Sequence, residues 1–335
     1  MPFIDEILKY RSLSIVGLEK NTGKTESLNY ILGRLRQKNV AVALTSIGID
    51  GESRDQVCQT PKPEIEVYEG MIFITTEKHY LQRKMVSEIL DVSENYTSLG
   101  RLVTARAISS DKVLISGPPD THGLKILIKK MEQWGVDITI VDGALSRLSL
   151  GSPAVTEATV LATGAALSAN IPELVRKTKF VHDLIELPEV NEALKEKLTM
   201  IDKGVFAIDE EDNLHDLGIS SVLMIEKVKD KLLSHGNRIF VSGATSEKLF
   251  NFLRMQKGVS ETILVVKDFT KIFTAPEAYY AFVKKGGKVM VAQKTKLAAV
   301  CINPVSPKGY TLNSNELKSA MQESLNIPVY DVKNL

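Results

Sequence analysis

Short apolar runs alternate with longer amphipathic segments along most of the chain. Residues 13–16 form the first apolar run, and Leu28, Ile31, Leu32 and Leu35 follow at the spacing of one helix face. Repeated strand–helix units of this kind place parallel strands side by side and cover the sheet with helices. The pattern therefore predicts an α/β fold with a mainly parallel sheet.

The same periodicity predicts the other elements of the first half. Residues 65–67 and 72–75 flank the turn Tyr68-Glu69-Gly70, so we expect a hairpin that makes the sheet mixed. Residues 85–100 are expected to be helical at their start. Further strands are predicted at residues 40–46, 102–107, 113–116, 138–141 and 160–163, and helices at residues 25–37, 125–134 and after Ser168.

The pattern loosens from about Pro188, and an acidic run at residues 209–212 precedes a second α/β set. We place the boundary after residue 185, so that residues 1–185 form the first domain and residues 186–335 a smaller C-terminal α/β domain. The strands predicted after the boundary are residues 238–242, 263–266, 288–291, 298–302 and 329–332, and the helices are residues 246–255, 276–285 and 315–325.

Composition narrows the classes of function. Apolar residues make up 44% and charged residues 25% of the 335, and the formal net charge is +1, so no overall field attracts nucleic acid or an anionic membrane. Cys58 and Cys301 are too few for a disulfide framework or a structural zinc site. No apolar run reaches the ~20 residues of a membrane span, and Asp5 and Glu6 stand where a signal peptide carries basic residues. We expect a cytoplasmic protein without nucleic-acid or membrane partners.

One glycine-rich segment carries the clearest chemistry. Residues 17–25 read Gly-Leu-Glu-Lys-Asn-Thr-Gly-Lys-Thr between the first predicted strand and the first long helix, which is the order of a P-loop. Gly23 lets the backbone approach phosphate, Lys24 would reach the β- and γ-phosphates, and Thr25 would ligate magnesium. The expected contacts to the nucleotide are Gly17, Glu19, Lys20, Asn21, Thr22, Gly23, Lys24, Thr25 and Glu26. This segment predicts ATP or GTP bound with Mg²⁺.

The segment departs from the usual G-x-x-x-x-G-K-[ST] pattern, because five residues separate Gly17 from Gly23 and Leu18 stands in the place of the first glycine. A chance Gly-Lys-Thr at the start of a helix is the alternative interpretation. Lys20 would add a second ammonium near the phosphates, as in the deviant Walker loops of dimerising NTPases, although it lies one residue closer to Gly23 than in that signature. A solvated lysine is the other interpretation.

Acidic residues at the ends of neighbouring strands are candidate partners of magnesium. Asp142 ends the apolar run 138–141 in the form of a Walker B strand, and Asp50 follows the second strand, with Glu52 as the alternative there. We predict Thr25, Asp50 and Asp142 as metal ligands, and Lys24 with the two aspartates as catalytic residues. Each aspartate is also compatible with an ordinary turn.

Two further segments are open to more than one interpretation. Asp120, Thr121 and His122 follow a predicted strand, so they would meet the γ-phosphate or a substrate, and Arg147 would supply positive charge to a transition state. Surface positions are equally compatible with these residue types. The chain has no Asn-Lys-x-Asp motif for reading guanine, which favours ATP over GTP.

These segments together resemble a known group. Residues 19–25, 46–52, 141–144 and 161–165 resemble the P-loop proteins of the group that includes dethiobiotin synthetase. More narrowly, the whole chain, with residues 303–310 among the matching parts, is similar to the KamB-like reactivase subunits of the cobalamin-dependent lysine 5,6-aminomutase.

The narrower resemblance implies a role as an ATP-dependent chaperone. Adenosylcobalamin enzymes lose activity when the organic group of the cofactor is lost, and a reactivase would use ATP to open the aminomutase and release the damaged cobalamin. The implied partners are the aminomutase and a second ATPase subunit related to MutS, and a homodimer is expected by analogy. ATP hydrolysis would be weak or stimulated by the partner. The alternatives are a small-molecule ligase of the dethiobiotin synthetase type and a non-hydrolysing nucleotide-sensing interaction protein.

Overall fold

In the computed structural model, which describes residues 2–47, 65–143, 151–228 and 231–335, the chain alternates between strands and helices. The strands of these residues are β1 Ser12–Gly17, β2 Val42–Ser46, β3 Ile65–Val67, β4 Ile72–Thr76, β5 Ser87–Thr97, β6 Gly100–Ala107, β7 Asp111–Val113, β8 Ile138–Asp142, β9 Ala158–Gly164, β10 Val205–Ile208, β11 Leu214–Asp216, β12 Arg238–Val241, β13 Thr245–Ser246, β14 Ile263–Val266, β15 Ile272–Phe273, β16 Lys288–Val291, β17 Lys296–Asn303 and β18 Val329–Asp331. The α-helices are α1 Ile4–Ile7, α2 Lys24–Gln37, α3 Glu77–Gln82, α4 Thr121–Met131, α5 Ile171–Ile185, α6 Glu192–Thr199, α7 Glu247–Arg254, α8 Pro276–Lys284 and α9 Ser314–Leu325.

A nine-stranded sheet organises the first compact unit of the chain. Its strand order is β18-β17-β9-β1-β8-β2-β4-β6-β5. The pairs from β9 to β4 are parallel, as is β17 with β18, whereas β6 pairs antiparallel with both β4 and β5. The predicted α/β class and the mixed, mainly parallel sheet are therefore confirmed.

Alternating side chains of the central strands bury both faces of this sheet. Leu13 and Ile15 of β1 lie in a core that also contains the apolar face of α2. Val16 and Val141 lie in a separate cluster with Leu124 of α4. Helices thus cover the sheet on two sides.

A five-stranded sheet with the order β11-β10-β12-β14-β16 organises the second compact unit. Strands β12, β14 and β16 are parallel, and β10 pairs antiparallel with β11 and β12. Phe240 of β12 and Val265 of β14 pack with Leu194 and Leu198 of α6 in one core. Phe250 and Phe282 meet edge to face, with ring centroids 5.8 Å apart, where α7 and α8 pack together.

The division of the chain differs from the predicted boundary at residue 185. One unit comprises Met1–Gly151, Val155–Val175 and Leu297–Leu335, and the other Ser152–Ala154 and Arg176–Lys296. The last segment returns to the first unit because β17 lies beside β9 in the nine-stranded sheet. A strand that joins a sheet far back in the sequence leaves no trace in local periodicity.

The predicted hairpin of residues 65–67 and 72–75 is wrong. Strand β3 pairs instead with β7, with Ile65 opposite Val113. Strand β4 is buried along its whole length and lies between β2 and β6. The turn at Gly70 therefore separates two strands that belong to different sheets.

The predicted helical start of residues 85–100 is also wrong, because this segment forms the edge strand β5. Its pairing with β6 is interrupted between Ile89 and Asp91 and again between Val92 and Tyr96. Bulges of this kind break the two-residue alternation of a strand, which leaves apolar residues at spacings close to those of a helix.

Most other predicted elements are confirmed, with ends shifted by a few residues. The strand predicted at residues 113–116 is wrong, because the observed strand is Asp111–Val113 and shares only Val113 with it. The prediction missed α1, α3, α6, β10, β11, β13 and β15, which are all short. Across the described ranges, every helix is too short or too polar to cross a membrane.

The core of the second unit provides a matched pair of phenylalanines. Phe240 is fully buried, whereas Phe273 is 64% exposed. Phe240→Ala is expected to lower the free energy of unfolding by ~3–5 kcal/mol, because it removes apolar contacts and leaves a cavity. Phe273→Ala is expected to change it by less than ~0.5 kcal/mol. Urea denaturation followed by circular dichroism measures both values, and equal losses would contradict the assigned core.

The carboxyl group of Asp183 in α5 is expected to make the free energy of unfolding depend on pH. Burial alone raises its pKa, but His182, Lys179 and Tyr280 act in the opposite direction and hold the pKa at about 2. The Lys179 Nζ atom donates to both carboxylate oxygens at 2.7 and 2.8 Å, and the Tyr280 hydroxyl donates at 2.8 Å.

Since the pKa of Asp183 is lower in the folded than in the unfolded state, its contribution is complete above about pH 4 and is lost as the pH falls toward 2. Asp183→Asn is expected to lower the free energy of unfolding at pH 6 by ~1–2 kcal/mol and to flatten the acid dependence below pH 4. Tyr280→Phe removes one hydrogen-bond donor to Asp183, so the pKa of Asp183 in the folded state should rise and stability should be lost at a higher pH. Denaturation at a series of pH values tests this, and identical profiles for the wild type and both variants would refute it.

Candidate functional site

Parallel pairing brings the ends of four central strands to one edge of the large sheet. Ile15 of β1 is paired with Asp142 of β8, and Asp142 in turn with Ser46 of β2. On the other side of β1, Gly17 is paired with Ala162 of β9. Because parallel strands share a direction, the loop that follows β1 lies beside Asp142 at the carboxyl edge, where open α/β sheets bind ligands.

The extra residue of the glycine-rich loop is Leu18, which directly follows β1 and is hydrogen-bonded to β9. The backbone N–H of Leu18 donates to the carbonyl oxygen of Ala162 at 3.0 Å, so Leu18 continues the ladder between β1 and β9. The turn itself therefore begins at Glu19. Leu18 does not have a positive φ, so a leucine is accommodated where the usual pattern has glycine.

The turn is tight and is held by its own polar groups. Asn21 and Gly23 both have left-handed backbone, with φ of 60° and 97°. The Thr22 hydroxyl donates to the Glu19 carbonyl at 2.8 Å, and the Lys20 N–H donates to the Glu19 carboxylate at 3.1 Å. Residues with positive φ redirect successive N–H groups, which is how phosphate-binding turns form.

Helix α2 begins directly at this turn. Gly23 is its N-cap residue and provides no side-chain hydrogen bond to the first turn. The first backbone N–H bonded back to Gly23 belongs to Ser27, at 2.9 Å. The N–H groups that precede it have no acceptor within the helix, and the helix dipole gives this end partial positive charge. The start of α2 is thus suited to an anion.

The two strongest predicted residues meet at this edge. The Lys24 ammonium donates to the carbonyl oxygen of Gly143, and its Nζ lies 3.9 Å from Oδ1 of Asp142. The side chains of Lys24 and Asp142 are 14% and 22% exposed, so both charges are partly withdrawn from water but accessible. The hydroxyl of Ser46 donates to the Asp142 carbonyl at 3.0 Å and fixes the end of β8.

The remaining predicted residues differ in where they lie. Thr25 is half-buried in the first turn of α2. Glu26 is exposed and forms an ion pair with Lys333, at 3.2 Å. Asp50 and Arg147 lie outside the described residues, so their roles stay predictions.

The segment that follows β7 has a local structural role at Asp120. Its carboxylate accepts from the N–H of Gly123 at 2.8 Å and so caps α4, while His122 is exposed. Gly117 is required by close packing, because a Cβ atom there would lie 1.6 Å from the Ser46 carbonyl oxygen. This loop is therefore tied to the end of β2.

Sequence reasoning missed Asn303, which reaches the glycine-rich loop from the end of β17. Its side-chain Nδ2 donates to the carbonyl oxygen of Asn21 at 3.3 Å. Its own carbonyl accepts from the N–H of Ala165 at 2.8 Å, and the Tyr310 hydroxyl donates to the Ala165 carbonyl at 2.5 Å. A polar residue ending a strand was the available signal, but the sequence could not place β17 in this sheet.

The cysteine beneath α2 is a packing residue. Cys301 lies in the large core, and burial raises the pKa of its thiol to about 12. A thiol that stays protonated is a poor nucleophile and a poor metal ligand. Among the described residues, the groups at this edge that can bind a ligand are therefore the lysine, the aspartate, the hydroxyls and the backbone N–H groups.

No group of three or more His, Cys, Asp or Glu side chains within the described residues is arranged to hold a metal ion. A cation at this edge would accordingly need ligands beyond such a cluster, such as a hydroxyl or phosphate oxygens. Comparison with protein-family models, with curated proteins and with solved structures finds no match for this chain. Its function is therefore argued from the geometry of the site and from the resemblance of its motifs.

Two glycines, one at the site and one in the interior of α2, make a controlled experiment. A Cβ atom at Gly17 would lie 2.7 Å from Oγ1 of Thr22 and 2.8 Å from Cγ of Lys24, whereas one at Gly33 of α2 would meet nothing within 4 Å. Gly17→Ala is expected to displace the loop and weaken tripolyphosphate binding by about tenfold or more, which corresponds to about 1.4 kcal/mol.

Gly33→Ala is expected to preserve tripolyphosphate binding and to raise stability by ~0.4–1 kcal/mol, because alanine suits a helix interior better than glycine. Calorimetric titration and thermal unfolding of both variants provide the measurements. Equal binding by the wild type and Gly17→Ala would show that the loop is not the site.

Proposed function

We propose that this chain binds ATP with Mg²⁺ through residues 17–25 and Asp142. The observation that carries the proposal is the convergence of Lys24, Asp142 and the uncapped start of α2 at one carboxyl edge. An ammonium beside the N-terminus of a helix is complementary to a chain of phosphates. The lack of a guanine-reading motif favours ATP over GTP.

Each group of the chain has a definite task in this proposal. The N–H groups of the turn and of α2 bind phosphate oxygens, and Lys24 leaves the Gly143 carbonyl to contact the β- and γ-phosphates. Thr25 and Asp142 would hold Mg²⁺, which neutralises phosphate charge when it is bound. Asp50 is a further proposed ligand outside the described residues. Loops with these parts bind tightly without necessarily hydrolysing fast.

The larger role that we propose is an ATP-dependent reactivating factor for an adenosylcobalamin-dependent lysine 5,6-aminomutase. It rests on the whole-chain resemblance to KamB-like subunits. A second compact unit with its own core supports a role that uses a protein partner, because the sequence of the C-terminal part shows no substrate motif. The partners proposed are the aminomutase and a MutS-related ATPase subunit.

Lys24→Ala tests phosphate binding directly. Loss of one charge-assisted contact of ~1.5–3 kcal/mol is expected to weaken ATP binding by about 10- to 100-fold in a calorimetric titration with Mg²⁺. Lys38→Ala is the matched control, because Lys38 lies at the other end of α2 and pairs with Asp5 at 2.8 Å. Unchanged affinity in Lys24→Ala would remove the basis of the proposal.

Partner-driven hydrolysis tests the larger role. Phosphate release by the wild-type chain is expected to rise several-fold when inactivated lysine 5,6-aminomutase is added, and the Lys24→Ala variant should show no such rise. Turnover that depends instead on a small carboxylic acid would contradict the reactivating role and favour the ligase. Tight binding without turnover in either case would favour a nucleotide-sensing protein.

A further inference from the structure

The turn at residues 19–23 is contacted by a residue from a distant part of the chain. Asn21 has φ of 60°, a left-handed conformation that asparagine tolerates better than most residues with a side chain. The hydrogen bonds made by Thr22 and Lys20 tie the turn back to Glu19. They leave the carbonyl of Asn21 on the outer side, where the side chain of Asn303 donates to it.

Asn303 is itself fixed from several directions. Its carbonyl accepts from Ala165, and its Oδ1 accepts from the N–H of Val305 at 3.1 Å. Because Oδ1 is engaged, the amide nitrogen Nδ2 is directed toward Asn21. The side chain is therefore oriented before any ligand arrives, as a positioning group requires.

Two glycines make room for this arrangement. A Cβ atom at Gly23 would lie 2.7 Å from Cβ of Asn303, and one at Gly164 would lie 2.1 Å from its carbonyl oxygen. Gly23 thus serves both the left-handed turn and the approach of Asn303. The end of β9, the glycine-rich loop and the end of β17 all meet at this one residue.

We infer that Asn303 is a positioning residue, which holds the phosphate-binding turn in its binding conformation through the Asn21 carbonyl. This inference rests on the proposed function, because it deepens the role of the same loop. Asn303 contacts the loop rather than the phosphates, so the effect of Asn303 on binding is expected to be the same whatever the base or sugar of the ligand. The C-terminal segment thereby becomes part of the phosphate site.

The test compares Mg²⁺ complexes of ATP, GTP and tripolyphosphate by calorimetric titration of the full chain. Asn303→Asp keeps the size and the acceptor for Val305 but replaces the donor with an acceptor that faces the Asn21 carbonyl. Asn303→Ala removes the donor without adding charge. Both are expected to weaken binding of all three probes by the same factor, about 3- to 10-fold, as loss of one hydrogen bond predicts.

Lys308→Ala is the control, because Lys308 is exposed in the same loop. Hydrogen exchange is a second readout: amides of residues 19–23 should exchange faster in Asn303→Ala, while those of β1 and the melting temperature stay near the wild-type values. A merely structural role would instead lower the melting temperature and affect both regions. If Asn303→Asp does not fold, Asn303→Ala carries the comparison.

The possible outcomes separate the two proposals. A wild-type chain that binds none of the probes contradicts the proposed function. A wild-type chain that binds all three, with variants that bind them equally well, contradicts the positioning role alone. Weaker binding of ATP with unchanged tripolyphosphate binding also overturns it, since Asn303 would then recognise the nucleoside.

Discussion

The register between β1 and its two parallel neighbours determines the geometry of this protein's candidate site. Ile15 opposite Asp142 and Gly17 opposite Ala162 bring three strand ends to the same level. A shift of one residue would turn the alternating apolar side chains of β1 away from their cores and separate Lys24 from Asp142. Core packing on both faces of the sheet therefore also fixes the distance between the two charges.

Local chemistry explains which parts of the fold the sequence could predict. Residues 17–25 form a strand end, a turn and a helix start within one short stretch, and the helix spacing of α2 is unambiguous. The position of Asp142 at a strand end was predictable because the apolar run of residues 138–141 stops at this residue. The edge strand β5 was not, because its bulges disturb the alternation on which the prediction depends.

Long-range pairing explains what the sequence left open. The position of β17 beside β9 depends on contacts between distant parts of the chain, and so does the bond from Asn303 to Asn21. The roles of Gly23 and Gly164 follow from the same contact, since a Cβ atom at either position would collide with Asn303. Residue types at these positions were visible in the sequence, but their neighbours were not.

The return of Leu297–Leu335 to the first unit has a consequence for synthesis. A ribosome completes β9 and then the whole of the second unit before β17 emerges. The large sheet therefore lacks β17 and β18 during most of translation, while the inserted unit can already fold. A nascent chain completes this edge of the sheet last, so the candidate site gains its contact from Asn303 only after β17 has been synthesised.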